Sequence, residues 1–208
     1  MFLFQETYYA TPGLQDLIAQ RVQSLHEAQA TQPSSLASDW MKWLGDGVTF
    51  MALRLWTDRT YAVDEEHMRW MGEYNRTRPT DAFMQPPDIE FFEPIAQQGV
   101  PGGAQFCVRT ELEVAGAGRA NWASWEHELR ATLLATPGFR EYRLYQFLGR
   151  ESRLFRTEFW ETEAAGRAFW TAEGRRAQLG KLPSGSWRKA PLPSYYRVVH
   201  QLGDAHLR

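Results

Sequence analysis

Hydrophobic and polar positions along this chain follow two periods, and the order of those periods occurs twice. From Phe106, the residues Phe106, Val108, Thr110, Leu112 and Val114 alternate with Cys107, Arg109, Glu111 and Glu113, the two-residue period of a strand. Gly116 and Gly118 mark a turn and Asn121 is a candidate N-cap. Trp122, Trp125, Leu129 and Leu133 then share one helical face, and Pro137-Gly138 stops the helix. Two strand-like runs at about 139–147 and 153–160 turn at Leu148-Gly149 and read as a hairpin. A second helix is predicted over about 163–179, and a loop rich in Pro, Gly and Ser leads to a last strand near 195–200.

The first half gives the same order. A strand at about 2–9 is followed by Thr11-Pro12, an N-cap with proline at the first helical position. Leu14, Leu17, Ile18, Val22 and Leu25 make the helix's apolar face. Strands at about 36–43 and 48–56 turn at Gly45-Asp46-Gly47, a helix is predicted over 64–75, and a last strand over 89–95. Each half is therefore β-α-β-β-α-β. Sliding the chain on itself by 104 residues brings Phe2 onto Phe106, Pro33 onto Pro137, Leu44-Gly45 onto Leu148-Gly149 and Trp56 onto Trp160. The fold class expected is α+β, two ferredoxin-like repeats over 1–98 and 104–203 joined by the Gly- and Pro-containing link 97–103.

A four-stranded sheet with helices on one face leaves its other face bare. Met51, Leu53 and Leu55 alternate with Ala52, Arg54 and Trp56, and Phe155 and Phe159 lie opposite Arg156, Glu158 and Trp160. The Met51/Phe155 parity is apolar in both halves, as two sheets packing face to face require. A monomer with an internal pseudo-twofold is expected, each half pairing with another chain is the alternative, and a further homodimer stays open.

Composition narrows the classes. Apolar residues make up 43% of the 208 and aromatic residues 14%, including 9 Trp, enough to wall a cavity. The formal charge of −2 gives no basic excess for nucleic acid and no charge block for a membrane surface. No apolar run approaches the length of a membrane span. The one cysteine, Cys107, cannot form a disulfide within the chain and fits a reducing, cytoplasmic setting. The first residues do not read as a signal peptide. No Ser-His-Asp, HExxH or CxxC arrangement appears, and no metal site is expected.

The stretch from Pro137 through Trp170, with its Pro-Gly, its tyrosine-rich strand, Trp160-Glu161 and Ala164-Ala165, resembles the core of antibiotic-biosynthesis-monooxygenase domains. Trp56, Thr57 and Asp58 give the first half a weaker likeness. The resemblance implies a dimeric α+β barrel, here formed within one chain, with a ligand cavity between helices and sheet. It also implies oxygenation of a small aromatic or phenolic molecule without cofactor, or haem degradation, or binding without reaction. Where quinone-forming members carry an Asn and a Tyr around the Trp, this chain has Ala52 and Ala62 in one half and Arg156 and Gly166 in the other. Where haem-degrading members carry a His ten residues after a Trp, Trp70 is followed by Thr80 and Trp170 by Gly180. Their first-strand Asn falls at about Glu6 and Thr110.

Candidate site residues follow. Glu6 has the parity of Phe2, Phe4 and Tyr8, which should face the helices, and an unpaired carboxylate buried there is costly. Strands one and three are neighbours in this topology, so Arg54 is its expected partner. The pair is either a base with an anion holder for a phenolic ligand or a structural salt bridge. Arg156 and Glu158 share the Trp160 face, with the same two readings. His67, Trp70, Met71 and Tyr74 form one helical stripe, either a cavity wall with His67 as acid/base or haem ligand, or core packing. Trp56, Trp160 and Trp170 are core or the walls of an apolar pocket.

Overall fold

The computed structural model describes residues 1–32, 34–58, 69, 76, 80–181 and 185–202. They form two compact units, Met1–Glu93 with the described residues from Val198, and Pro94–Arg197.

In the first unit, β1 (Phe2–Tyr9) pairs antiparallel with both β3 (Thr49–Trp56) and β4 (Asp88–Gly99), and β2 (Ser35–Trp43) pairs antiparallel with β3. The order β4-β1-β3-β2 is the ferredoxin-like arrangement. Helix α1 (Gln15–Ala30) lays Ile18 and Val22 on a cluster of Tyr8, Trp40, Phe50 and Ala52. Leu17, expected on that face, is 44% exposed, so the apolar stripe is narrower than its spacing suggests. The predicted helix over 64–75 falls, apart from Arg69, outside the described residues.

In the second unit, β5 (Phe106–Val114) pairs antiparallel with β7 (Arg153–Trp160) and β8 (Trp187–Leu202), and β6 (Phe139–Phe147) pairs antiparallel with β7. Helix α2 (Arg119–Leu134) buries Trp122, Trp125, Glu126, Leu129 and Leu133. It begins before Asn121 because a 3-10 turn at Gly116–Gly118 leads into it with Gly118 as N-cap. The single helix expected over 163–179 is two, α3 (Glu163–Phe169) and α4 (Ala172–Leu179). Thr162 caps the first, accepting from Ala165 N at 3.2 Å. Trp170 then leaves helical geometry at φ −94°, ψ 35°, and the Thr171 hydroxyl accepts from Gly174 N at 3.1 Å at the start of the second.

The strand registers of the two units coincide under one shift. Phe2 faces Trp56 and Phe106 faces Trp160, Lys42 faces Phe50 and Gln146 faces Leu154, each 104 residues apart. The β2–β3 ladder slips between Ser35 and Ala37, and the β6–β7 ladder slips between Phe139 and Glu141, again 104 residues on. The last strands exceed expectation: β4 runs to Gly99 and β8 starts at Trp187. At Gly99, φ is +105° and an added Cβ would collide with the Arg140 carbonyl, while the next amide, Val100 N, donates to that carbonyl at 2.8 Å. Only glycine combines that dihedral with so close an approach.

Candidate functional site

Alternation along β1 and β3 puts Glu6 and Arg54 on the face that carries Tyr8, Phe50 and Ala52 against α1. Glu6 sits opposite Ala52, and Arg54 opposite Phe4. A small residue across from the carboxylate leaves room for the guanidinium to reach it. Arg54 Nη1 is ion-paired with Glu6 Oε2. The Tyr8 hydroxyl donates to the same oxygen at 2.7 Å, and Arg54 Nη2 donates to the Tyr8 oxygen at 3.3 Å. All three residues are buried, at 3% exposure for Glu6, 2% for Arg54 and 6% for Tyr8. Burial, and then the Glu6 carboxylate, hold the Tyr8 hydroxyl well above its usual range, so it is a donor and not a phenolate. The carboxylate and the guanidinium sum to zero charge, which is what allows them to lie out of water.

The second unit builds a larger cluster at the corresponding depth. Arg156 Nε donates to Glu158 Oε1 at 2.7 Å, and its Nη1 donates to Glu126 Oε2 at 3.1 Å. The Tyr142 hydroxyl donates to Glu126 Oε1 at 2.6 Å, and the Trp170 indole N–H donates to Glu158 Oε2. The Arg156 guanidinium lies 5.3 Å from the Trp125 ring centroid and 5.2 Å from that of Trp170. Burial pushes Glu158 above the usual carboxylate range, against the pull of Arg156 and Trp170. Burial works against the charge on Arg156, but Glu126 and Glu158 outweigh it and raise its value. One guanidinium thus serves two carboxylates, Glu126 on α2 and Glu158 on β7.

The structure brings Glu6 together with Arg54, and Arg156 together with Glu158 and Trp170. Thr110 is buried opposite Arg156. Trp56 is buried opposite Phe2, and Trp160 packs edge-on against Phe139 at 5.1 Å between centroids. His67 and Trp70 lie outside the described residues. Sequence reasoning missed Tyr8, Glu126, Tyr142 and Trp125 as partners. The signal for Glu126 was available: it falls four residues after Trp122 and three before Leu129, inside the apolar stripe of α2. Among the described residues, no three His, Cys, Asp or Glu side chains are placed to hold a metal ion, and no helix is long and apolar enough to cross a membrane.

No protein-family model matches the sequence, and no curated protein matches it. Solved structures do. A proposed monooxygenase from Fusobacterium nucleatum superimposes with a TM-score of 0.76 at 8% identity, covering 99% of this chain and 95% of the other. An anthrone oxidase-like protein gives 0.64 at 15% identity, over 97% and 92%. A haem-degrading enzyme from Listeria monocytogenes gives 0.57 at 10% identity, over 95% and 99%. The chain therefore has the ferredoxin-like fold of proteins related to antibiotic biosynthesis monooxygenases, along essentially its whole length. Neighbours with such different reactions share it, so the fold does not choose among them.

Proposed function

We propose that this chain is a tandem-duplicated, monooxygenase-like protein for a small aromatic molecule. Its working site is Glu6, Arg54 and Tyr8 in the first unit, and its second unit has become a support. The observation that carries the reading is the buried Glu6–Arg54 pair with its tyrosine donor. A phenolic substrate with an acidic C–H, of the anthrone type, can exchange with that pair. Glu6 takes the proton while Arg54 turns to the oxyanion of the resulting carbanion. The charge in the site is the same before and after, so burial does not oppose the step. Oxygen adds to the carbanion carbon, the peroxide anion takes the proton back from Glu6 to give a hydroperoxide, and loss of one water leaves the ketone of a quinone. Each turnover consumes one O2 and releases one H2O. In this reading no cofactor is required, and the single buried Cys107 accords with a reducing, cytoplasmic setting.

A specific observation favours a structural role for the second unit's cluster: Arg156 is shared by Glu126 and Glu158, both buried. There the proton acceptor and the anion holder are committed to each other and to a helix.

Oxygen consumption with a panel of anthrones and hydroquinones tests the proposal. Wild-type protein should take up oxygen, and Glu6→Gln should lose about 10²- to 10⁴-fold in rate, the usual worth of a general base. No uptake above blank across the panel leaves binding alone. Wild-type rates in Glu6→Gln remove Glu6 from the chemistry.

A further inference from the structure

We propose that an open groove at the β5–β8 side of the second unit binds a small organic dianion, a phosphate monoester or a dicarboxylate on a compact apolar body. The groove encloses about 450 Å³ and is lined by Arg109, Glu111, Arg150, Arg153, Lys189 and Leu192, among others. That volume suits a small ligand.

The groove is over-supplied with positive charge. Glu111 accepts from Arg109 at 3.0 Å and lies 3.5 Å from Arg153. Glu113 accepts from Arg150 at 2.8 Å and lies 3.9 Å from Arg188. Lys189 is the fourth cation of the lining, Arg188 standing outside it, and the neighbouring Glu151 is held by Arg119 at 3.2 Å. Among the described residues, four cationic side chains thus line the groove with two carboxylates, on a chain whose formal net charge is −2. Such local asymmetry concentrates anions. Glu111 is held below the usual carboxylate range, because Arg109, Arg153 and Lys189 outweigh its partial burial. Both carboxylates are already shared between cations, and an excess remains.

Two of the guanidiniums are already oriented. Arg109 lies 4.5 Å from the Phe155 ring centroid and is buried at 7% exposure. Arg153 lies 4.7 Å from the Phe147 ring centroid, with its side chain 27% exposed. A planar fork braced on an aromatic face loses little freedom when it meets a carboxylate or phosphate. Leu192, 66% exposed at the groove wall, gives an apolar body something to cover, and Ser194 offers a hydroxyl. The groove and the Glu6–Arg54 pair have no lining residue in common, so this site stands or falls independently of the proposed oxygenation.

Titration calorimetry at low salt with phenyl phosphate and with phthalate, against phenol, tests the proposal. At least one dianion should bind with Kd below about 1 mM and weaken as salt is added. The dianion that binds more tightly identifies the anionic group. Arg153→Gln and Lys189→Gln should each weaken binding about tenfold or more. Lys189 is exposed, so its variant keeps the test valid if Arg153→Gln misfolds, which circular dichroism will show. Absence of binding by both dianions, equal binding of phenol, or affinities unchanged in both variants would overturn it.

Discussion

Removing the guanidinium of Arg156 should be the most damaging single change in the second unit. Its side chain is 1% exposed and holds Glu158 at 2.7 Å and Glu126 at 3.1 Å, both buried. Arg156→Met keeps most of the apolar stem over Trp125 and Trp170 but strands two carboxylates without their cation. Breaking a buried pair in this way costs about 3–5 kcal/mol, a large part of the roughly 5–15 kcal/mol that holds a domain folded. For a chain of this size that is a fall in Tm of about 6–20 °C. The loss should also depend on pH. Glu158 has a folded pKa above its ordinary value near 4.3. The folded state therefore holds the extra proton between those two values, and stability falls as pH rises through that window. Without the lowering pull of Arg156, Glu158 rises further, so the variant should be closest to wild type near pH 5 and furthest from it near pH 8. Urea unfolding followed by tryptophan fluorescence at the two pH values measures both effects. Replacing the whole cluster, as Glu126→Gln with Arg156→Met and Glu158→Gln, should recover part of the loss, since no charge is then left buried. An Arg156→Met protein within about 1 kcal/mol of wild type at pH 8 would refute the reasoning.

Other consequences are smaller and local. An added methyl at Gly166 would meet the Phe106 ring and crowd Trp160, so Gly166→Ala should cost about 1–3 kcal/mol in the same unfolding assay. Asp46 accepts from Val48 N and Thr49 N at 2.9 Å each and from the Thr49 hydroxyl at 2.6 Å. These bonds outweigh its partial burial and lower its pKa, so its contribution is present above the ordinary value and lost as pH falls through the folded one. Asp46→Ala should cost about 1 kcal/mol near neutral pH and nothing in strong acid, as read from Tm against pH. Tyr8→Phe should keep the fold and slow oxygen uptake, because Glu6 loses one of two donors that hold its position; an unchanged rate would make Tyr8 structural only.

The strand pattern was legible because alternation and the 104-residue shift report directly on register, and both appear in the ladders. Glu6 with Arg54 could be read from strand neighbours alone. Helical spacing places Glu126 inside the apolar stripe of α2, but which strand residue it meets is set by packing and could not be read the same way. The break at Trp170 was hidden for a related reason. Its indole N–H satisfies the buried Glu158, a tertiary demand that overrides a stretch with good helical spacing. The charged groove was missed because its lining comes from β5, the β6–β7 hairpin and β8, three stretches with no common sequence signal.

The central claim is that the first unit's Glu6–Arg54 pair receives the aromatic ligand and the second unit's Arg156 cluster does not. A crystal soaked with anthraquinone, a product that cannot react further, addresses it directly. The expected result is ligand density with a carbonyl oxygen within hydrogen-bond distance of Arg54 and no density between α2 and its sheet. Density beside Arg156 and Glu158, with Glu6 and Arg54 still paired and unliganded, would contradict it.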